Sequence, residues 1–132
     1  MLSLQRTKIT GCTFSGNSAG VYGNDIYAED SSILQVNLTT ILSTSGVSIY
    51  SIYGGNHTFY GLILNCTDGS SYQSNTITTA QGFYFNQPQS VYIEKGSINY
   101  CSATIGGGLY LYNAINSSMT QFTVTYDSRY LN

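Results

Sequence analysis

Six carboxylates, four cationic side chains, one histidine and three cysteines are all that this 132-residue chain offers for charged or covalent chemistry. Acid–base cleavage of a sugar, or capture of Ca²⁺, needs carboxylates that converge on one small volume. Of Asp25, Glu29, Asp30, Asp68, Glu94 and Asp127, only the first three lie near one another along the chain. An acidic surface turn suits that grouping better than a cation site. Arg6, Lys8, Lys95 and Arg129 are scattered. His57 stands in Gly54-Gly-Asn-His-Thr58 with no second histidine and no carboxylate within ten residues, so neither a metal site nor a nucleophile dyad is legible. It reads as a solvated turn histidine. The expectation is a chain without catalytic residue, metal ligand or cofactor.

Cys12, Cys66 and Cys101 each close an Ile-x-x-Cys element. If those elements repeat in space, Cys66 and Cys101 fall in successive repeats and are near enough to bridge, whereas Cys12 is two repeats from Cys66 and too far. A stack of unbonded buried thiols is the expectation, with a Cys66 to Cys101 disulfide as the alternative. Asn37, Asn56, Asn65 and Asn116 are each followed two places later by Thr or Ser without an intervening proline, which makes them candidates for N-linked glycans. Asn56 and Asn116 are expected in turns. Asn37 and Asn65 alternate with apolar neighbours and are expected to point outward from strands.

Charged residues make up 8% of the chain against roughly 25% in an average domain, while 42% are hydrophobic. Serine, threonine, asparagine and glycine supply the polarity instead. A net charge of -2 excludes the basic footprint of a nucleic-acid binder. No apolar run is long enough to cross a membrane as a helix. The opening Met-Leu-Ser-Leu-Gln-Arg-Thr-Lys lacks the apolar core of a secretory signal, which suggests a removed leader or a segment of a longer chain.

The elements that must position these residues are strands. Alanine is scarce, β-branched residues and tyrosine are frequent, and no window carries apolar residues at helical spacing. Ile33 to Leu38, Phe59 to Leu64, Val91 to Ile93 and Phe122 to Tyr126 read as strands between Gly, Asn and Ser clusters. A repeat runs through them. Ile26-Tyr27, Ile49-Tyr50, Phe83-Tyr84 and Leu109-Tyr110 recur at spacings of 23, 34 and 26 residues, each preceded by a small residue, Gly23, Gly46, Ala80 or Gly106. A second column of strand openers reads Ile33, Phe59, Val91 and Met119. The third is the Ile-x-x-Cys column, with Leu38 to Ile41 filling its missing place.

Three short strands per repeat predict an all-β, single-stranded right-handed parallel β-helix of about four to five coils, stacked ~4.8 Å apart. Residues 1–132 form one such domain, or a segment of a longer solenoid. Tyr27, Tyr50, Tyr84 and Tyr110 would pack coil on coil as a ladder. Length variation between the cysteine and tyrosine columns points to outward loops at Ser15 to Gly20 and Thr67 to Gln81.

Cys12-Thr-Phe14-Ser-Gly-Asn17-Ser-Ala, then Gly23 with Ile26-Tyr27, and Gly106-Gly-Gly-Leu109-Tyr110, resemble the repeats of polymorphic outer-membrane-protein-like and pectate-lyase-like β-helices. That resemblance implies an extracellular or cell-surface protein built as a stacked solenoid, and it assigns no catalytic residue. Neither end of the chain reads as a cap, so each is expected to lie against more β-helix, either a head-to-tail copy of itself or flanking coils of the same chain. The leading expectation is a non-catalytic, glycosylated structural subunit that stacks into a filament or surface fibre. The alternatives are a glycan-binding segment of an adhesin and, remotely, a polysaccharide lyase or hydrolase.

Overall fold

The computed structural model describes residues 5–17, 23, 25–29, 32–43, 47–66, 82–101 and 108–125. Among the described residues fourteen short strands form three parallel sheets. The first sheet orders β1 (Arg6–Thr10), β4 (Ile33–Asn37), β7 (Asn56–Tyr60), β10 (Ser90–Glu94) and β13 (Asn116–Thr120). The second holds β2 (Thr13–Ser15), β5 (Thr40–Ser43), β8 (Ile63–Cys66), β11 (Ser97–Asn99) and β14 (Thr123–Thr125). The third, one strand shorter, holds β3 (Ile26–Glu29), β6 (Ile49–Ile52), β9 (Phe83–Asn86) and β12 (Leu109–Tyr112). The chain visits the sheets in strict rotation, so each pass lies on the one before it. This is a parallel β-solenoid.

Its regularity comes from the corners. Two residues always separate the first sheet from the second, and the leading one has positive φ in every coil: Gly11, Leu38, Gly61, Lys95 and Gln121. One left-handed residue turns an extended chain sharply without breaking the ladder above or below it. Three residues separate the third sheet from the first, and positive φ recurs there at Tyr53, Gln87 and Asn113. Only the passage from the second sheet to the third varies in length, which is the side on which the sequence places its loops. Thr67 to Gln81 and residues 18–20 of the other loop lie outside the described residues, as do Gly46, Ala80 and Gly106 of the small-residue column.

Alternation in each strand sends one set of side chains into the barrel of the solenoid. Val36, Phe59 and Ile93 stack in the first sheet, Ile41, Leu64 and Ile98 in the second, and Ile49 with Phe83 in the third, all buried. Phe59, Phe83 and Phe85 meet at the centre with ring centroids 5.3 to 5.8 Å apart. About three turns are paired on both sides. The count of four to five from the sequence includes the end coils, whose outer edges are free of any described strand.

Two of the three sequence columns are out of register. Ile33 pairs with Asn56, Ser90 and Asn116, so Phe59, Val91 and Met119 sit at later positions along their strands than Ile33 does. Ile9 pairs with Val36 in the first sheet, which places Cys12 at a corner beside Thr40 rather than above Cys66, and Ile41 pairs with Leu64. Apolar residues recur at several positions per coil, so matching by type alone permits slips of one to three residues. The tyrosine column has no such degeneracy: Tyr27, Tyr50, Tyr84 and Tyr110 are paired in one register.

Candidate functional site

Among the described residues the carboxylates do not converge. Asp25 lies just before β3, where its Oδ1 accepts a 2.8 Å hydrogen bond from Asn17 Nδ2. Glu29 closes β3 on the third sheet, whereas Glu94 closes β10 on the first. Asp30, Asp68 and Asp127 lie outside the described residues. No group of three or more His, Cys, Asp or Glu side chains is placed to hold a metal ion among the described residues. Likewise, among them no helix is long and apolar enough to cross a membrane.

His57 is not in a solvated turn. The turn ends at Gly55, and His57 is the second residue of β7, an inward position whose register partners are Leu34 and Val91. Its ring is fully buried, stacks on Phe85 at 5.6 Å and shares a 2.7 Å hydrogen bond between Nε2 and Ser51 Oγ. Nδ1 is buried with no hydrogen-bond partner. Burial holds the pKa down at about 4, against an opposing and smaller influence of the Gly54 backbone. Neutral His57 therefore belongs to the core. Gly55 makes room for it, since a Cβ there would stand 2.7 Å from the ring.

The cysteines also depart from expectation. Cys66 and Cys101 are joined in a disulfide, with Cα atoms 4.9 Å apart, instead of standing as free thiols. The left-handed turn at Tyr100 displaces the chain by one residue after Asn99, so Cys101 rather than Tyr100 meets Cys66. Cys12 is an exposed free thiol at the first corner, its Sγ 3.4 Å from the Thr10 carbonyl.

The four sequon asparagines occupy different surroundings. Asn56 opens β7 and Asn116 opens β13, so both lie on strands rather than in turns. Asn56 Oδ1 accepts a 2.7 Å bond from Ser90 Oγ, and Asn65 Oδ1 accepts a 2.8 Å bond from Asn99 Nδ2 of the next coil. Asn37 ends β4 half-buried, and Asn116 is exposed. The Asn65 to Asn99 rung was not singled out from the sequence, although the shared Ile/Leu-Asn spacing in β8 and β11 carries it.

On the outer face of the third sheet the tyrosine rings lie nearly parallel. Tyr27 and Tyr50 are 5.7 Å apart, Tyr50 and Tyr84 4.8 Å, and Tyr84 and Tyr110 4.9 Å, with interplanar angles of 6° to 16°. Tyr112 continues the row from the neighbouring position, 6.3 Å from Tyr110. Tyr50, held between two rings, is 8% exposed, whereas Tyr27 at the end is 49% exposed. A second aromatic contact lies on the first sheet, where Lys95 Nζ sits 5.3 Å from the Tyr60 ring and bonds its hydroxyl. That hydrogen bond, with the nearby Glu94 charge, raises the Lys95 pKa.

The ends of the solenoid carry the strongest departure from an ordinary surface. Met119 and Val124 occupy the inward columns of Ile93 and Ile98, which are 1% and 0% exposed, yet they are themselves 42% and 46% exposed. Ile115, at the corner before β13, is 75% exposed. At the opposite end, β1, β2 and β3 have no described strand on their outer sides. A cavity of about 300 Å³ opens there between β1, β3 and the start of β4, lined by Gln5, Thr7, Ile26, Ala28, Ser32 and Leu34 among others.

Compared with known protein families, curated proteins and solved structures, the chain finds no match in any of the three.

Proposed function

We propose that this protein is a non-catalytic structural solenoid whose two end coils meet further β-helix, so that copies joined head to tail build a filament or surface fibre. The observation that carries this reading is the exposure of Met119 and Val124 in columns that are otherwise buried. An inward side chain left open at the last coil gains ~1.5 to 3 kcal/mol when a further coil covers it. Six outer strands have no described neighbour on one side, and a sheet edge is a template that continues the same ladders. Because the two ends are different surfaces, their contact is heterologous and propagates.

An extracellular or cell-surface setting, the one implied by the resemblance to surface β-helix repeats, agrees with the Cys66 to Cys101 disulfide, which persists in oxidising compartments. N-linked glycans at Asn37, Asn56, Asn65 and Asn116 would add solubility to a surface with so few charges. Electron microscopy of concentrated protein tests the reading. Long, thin fibres one solenoid wide are expected, and monodisperse particles of single-chain size would overturn it.

The exposed Tyr53, Tyr92, Tyr100 and Tyr112 on the flanks favour a second reading, a glycan-binding segment of an adhesin, because an amphipathic ring offers sugars an apolar face and a polar tip. Glycan-array binding that is lost on substitution of Tyr92 by Ser would support it.

A further inference from the structure

The unequal strand count of the three sheets dictates how two copies of the chain join. The first and second sheets hold five strands each and the third holds four, because the described chain begins on the first sheet and stops on the second. A second copy that continues the winding must therefore place its β1 on β13 and its β2 on β14. Its β3 then falls two strand spacings beyond β12, not one. We infer that the joint between copies runs through the first and second sheets, with β13 and β14 of one copy paired in parallel to β1 and β2 of the next, in the register of the internal coils. The inference rests on the end-to-end reading above and specifies the surface that makes it.

Register extended by one coil matches the two surfaces residue by residue. Within the chain, Ile9 pairs with Val36, and the same column ends at Met119, so the joint sets Met119 of one copy on Ile9 of the next. By the same extension Val124 meets Phe14, Ser117 meets Thr7, and Thr123 meets Thr13. At the inward positions Met119 meets Ile9 and Val124 meets Phe14, apolar on apolar, while Ser117 and Thr7, in the inward column of Leu34, His57 and Val91, set hydroxyl against hydroxyl, as Thr123 and Thr13 do on the outer face. Arg6 and Lys8 fall outward, opposite Asn116 and Ser118, so no like charges meet across the joint. The corner column that starts at Gln5 and runs through Ser32, Gly55 and Gln89 ends at Ile115, which sets the exposed Ile115 against the Gln5 rim of the cavity.

The tyrosine face behaves differently. Tyr110 of one copy and Tyr27 of the next stand two spacings apart, about 9.6 Å, so among the described strands the ladder is interrupted at each joint. The cavity is lined by Ile26, Tyr27, Ala28 and Glu29 of β3.

Cysteine pairing reads the register directly. In a Cys12→Ser background, Thr13→Cys with Thr123→Cys places two outward side chains on adjacent parallel strands about 4.8 Å apart, within disulfide reach. Thr13→Cys with Thr125→Cys sets them about 8 Å apart, beyond it. Under mild oxidation the first pair should give a ladder of covalent multimers on a non-reducing gel, with at least ten times the yield of the second. The Thr13→Cys single variant, checked for strand content by circular dichroism, should give none beyond dimer. Fibres that form normally while the Thr13/Thr123 pair fails to link, or links no better than Thr13/Thr125, overturn this register and leave the end-to-end reading standing. Absence of both fibres and links overturns the two together.

Discussion

Acid should weaken this solenoid through one side chain. His57 is neutral and buried in the folded chain, with its pKa at about 4, whereas in the unfolded chain it returns to 6.5. A base whose folded pKa is depressed contributes its full stability above the unfolded pKa and loses it as pH falls toward the folded value. The window is therefore pH 6.5 to 4. At ~1.36 kcal/mol per pKa unit, the loss is about 2 kcal/mol by pH 5 and about 3 kcal/mol by pH 3.5. That is a large part of the ~5 to 15 kcal/mol that holds an ordinary domain together. Urea denaturation at a series of pH values measures it. His57→Leu supplies the comparison, since the register partners of His57 are Leu34 and Val91 and an aliphatic side chain suits the column. The variant pays a constant penalty for the Ser51 hydroxyl left unpaired, so the informative quantity is the slope with pH, which should flatten by about 2 kcal/mol between pH 7 and 5. An unchanged slope in His57→Leu, or an imidazole that titrates near 6.5 by NMR, would refute the assignment of His57 to the core.

Replacing Cys66 and Cys101 together by Ala should cost about 4 kcal/mol in chemical denaturation, the chain-entropy value for a closed loop of 35 residues; no change would mean that the bridge does not form. Gly55→Ala puts a Cβ against the His57 ring and the Ser32 carbonyl, and Gly11→Ala meets nothing within 4 Å, although both glycines have positive φ. Denaturation midpoints should therefore place the first at more than ~2 kcal/mol and the second near ~1 kcal/mol, and equal costs would contradict the described packing. Tyr50→Ser removes two ring stacks and Tyr27→Ser one, so the former should destabilise at least twice as much, about 2 to 3 against about 1 kcal/mol by thermal unfolding. The reverse order would argue against the ladder.

The solenoid itself was legible because its repeat is physical. Tyrosines at 23, 34 and 26 residue spacings are register partners in the third sheet, and the same spacings carry the strands of the first sheet past one another. What escaped detection was the corner chemistry. Gly11 and Gly61 are conspicuous, but Leu38, Lys95 and Gln121 occupy the same left-handed position with no residue type to mark it. Without the corners, Asn56 reads as part of a turn that ends one residue earlier, and the error carries His57 into solvent. The cysteine column slipped for a related reason: Cys12 is the second residue of the corner, whereas Cys66 ends a strand and Cys101 follows an added left-handed residue. Nothing in residue order distinguishes those three places. The exposure of Met119 and Val124 becomes visible only once their buried column partners are known.

Diffraction from oriented, concentrated protein tests the end-to-end joint most directly. Five described strands per copy in the first sheet give an axial repeat of about 24 Å, so a meridional reflection near 24 Å should appear together with its strong fifth order near 4.8 Å. A pattern with no axial order, or with a repeat of four spacings near 19 Å, would contradict it.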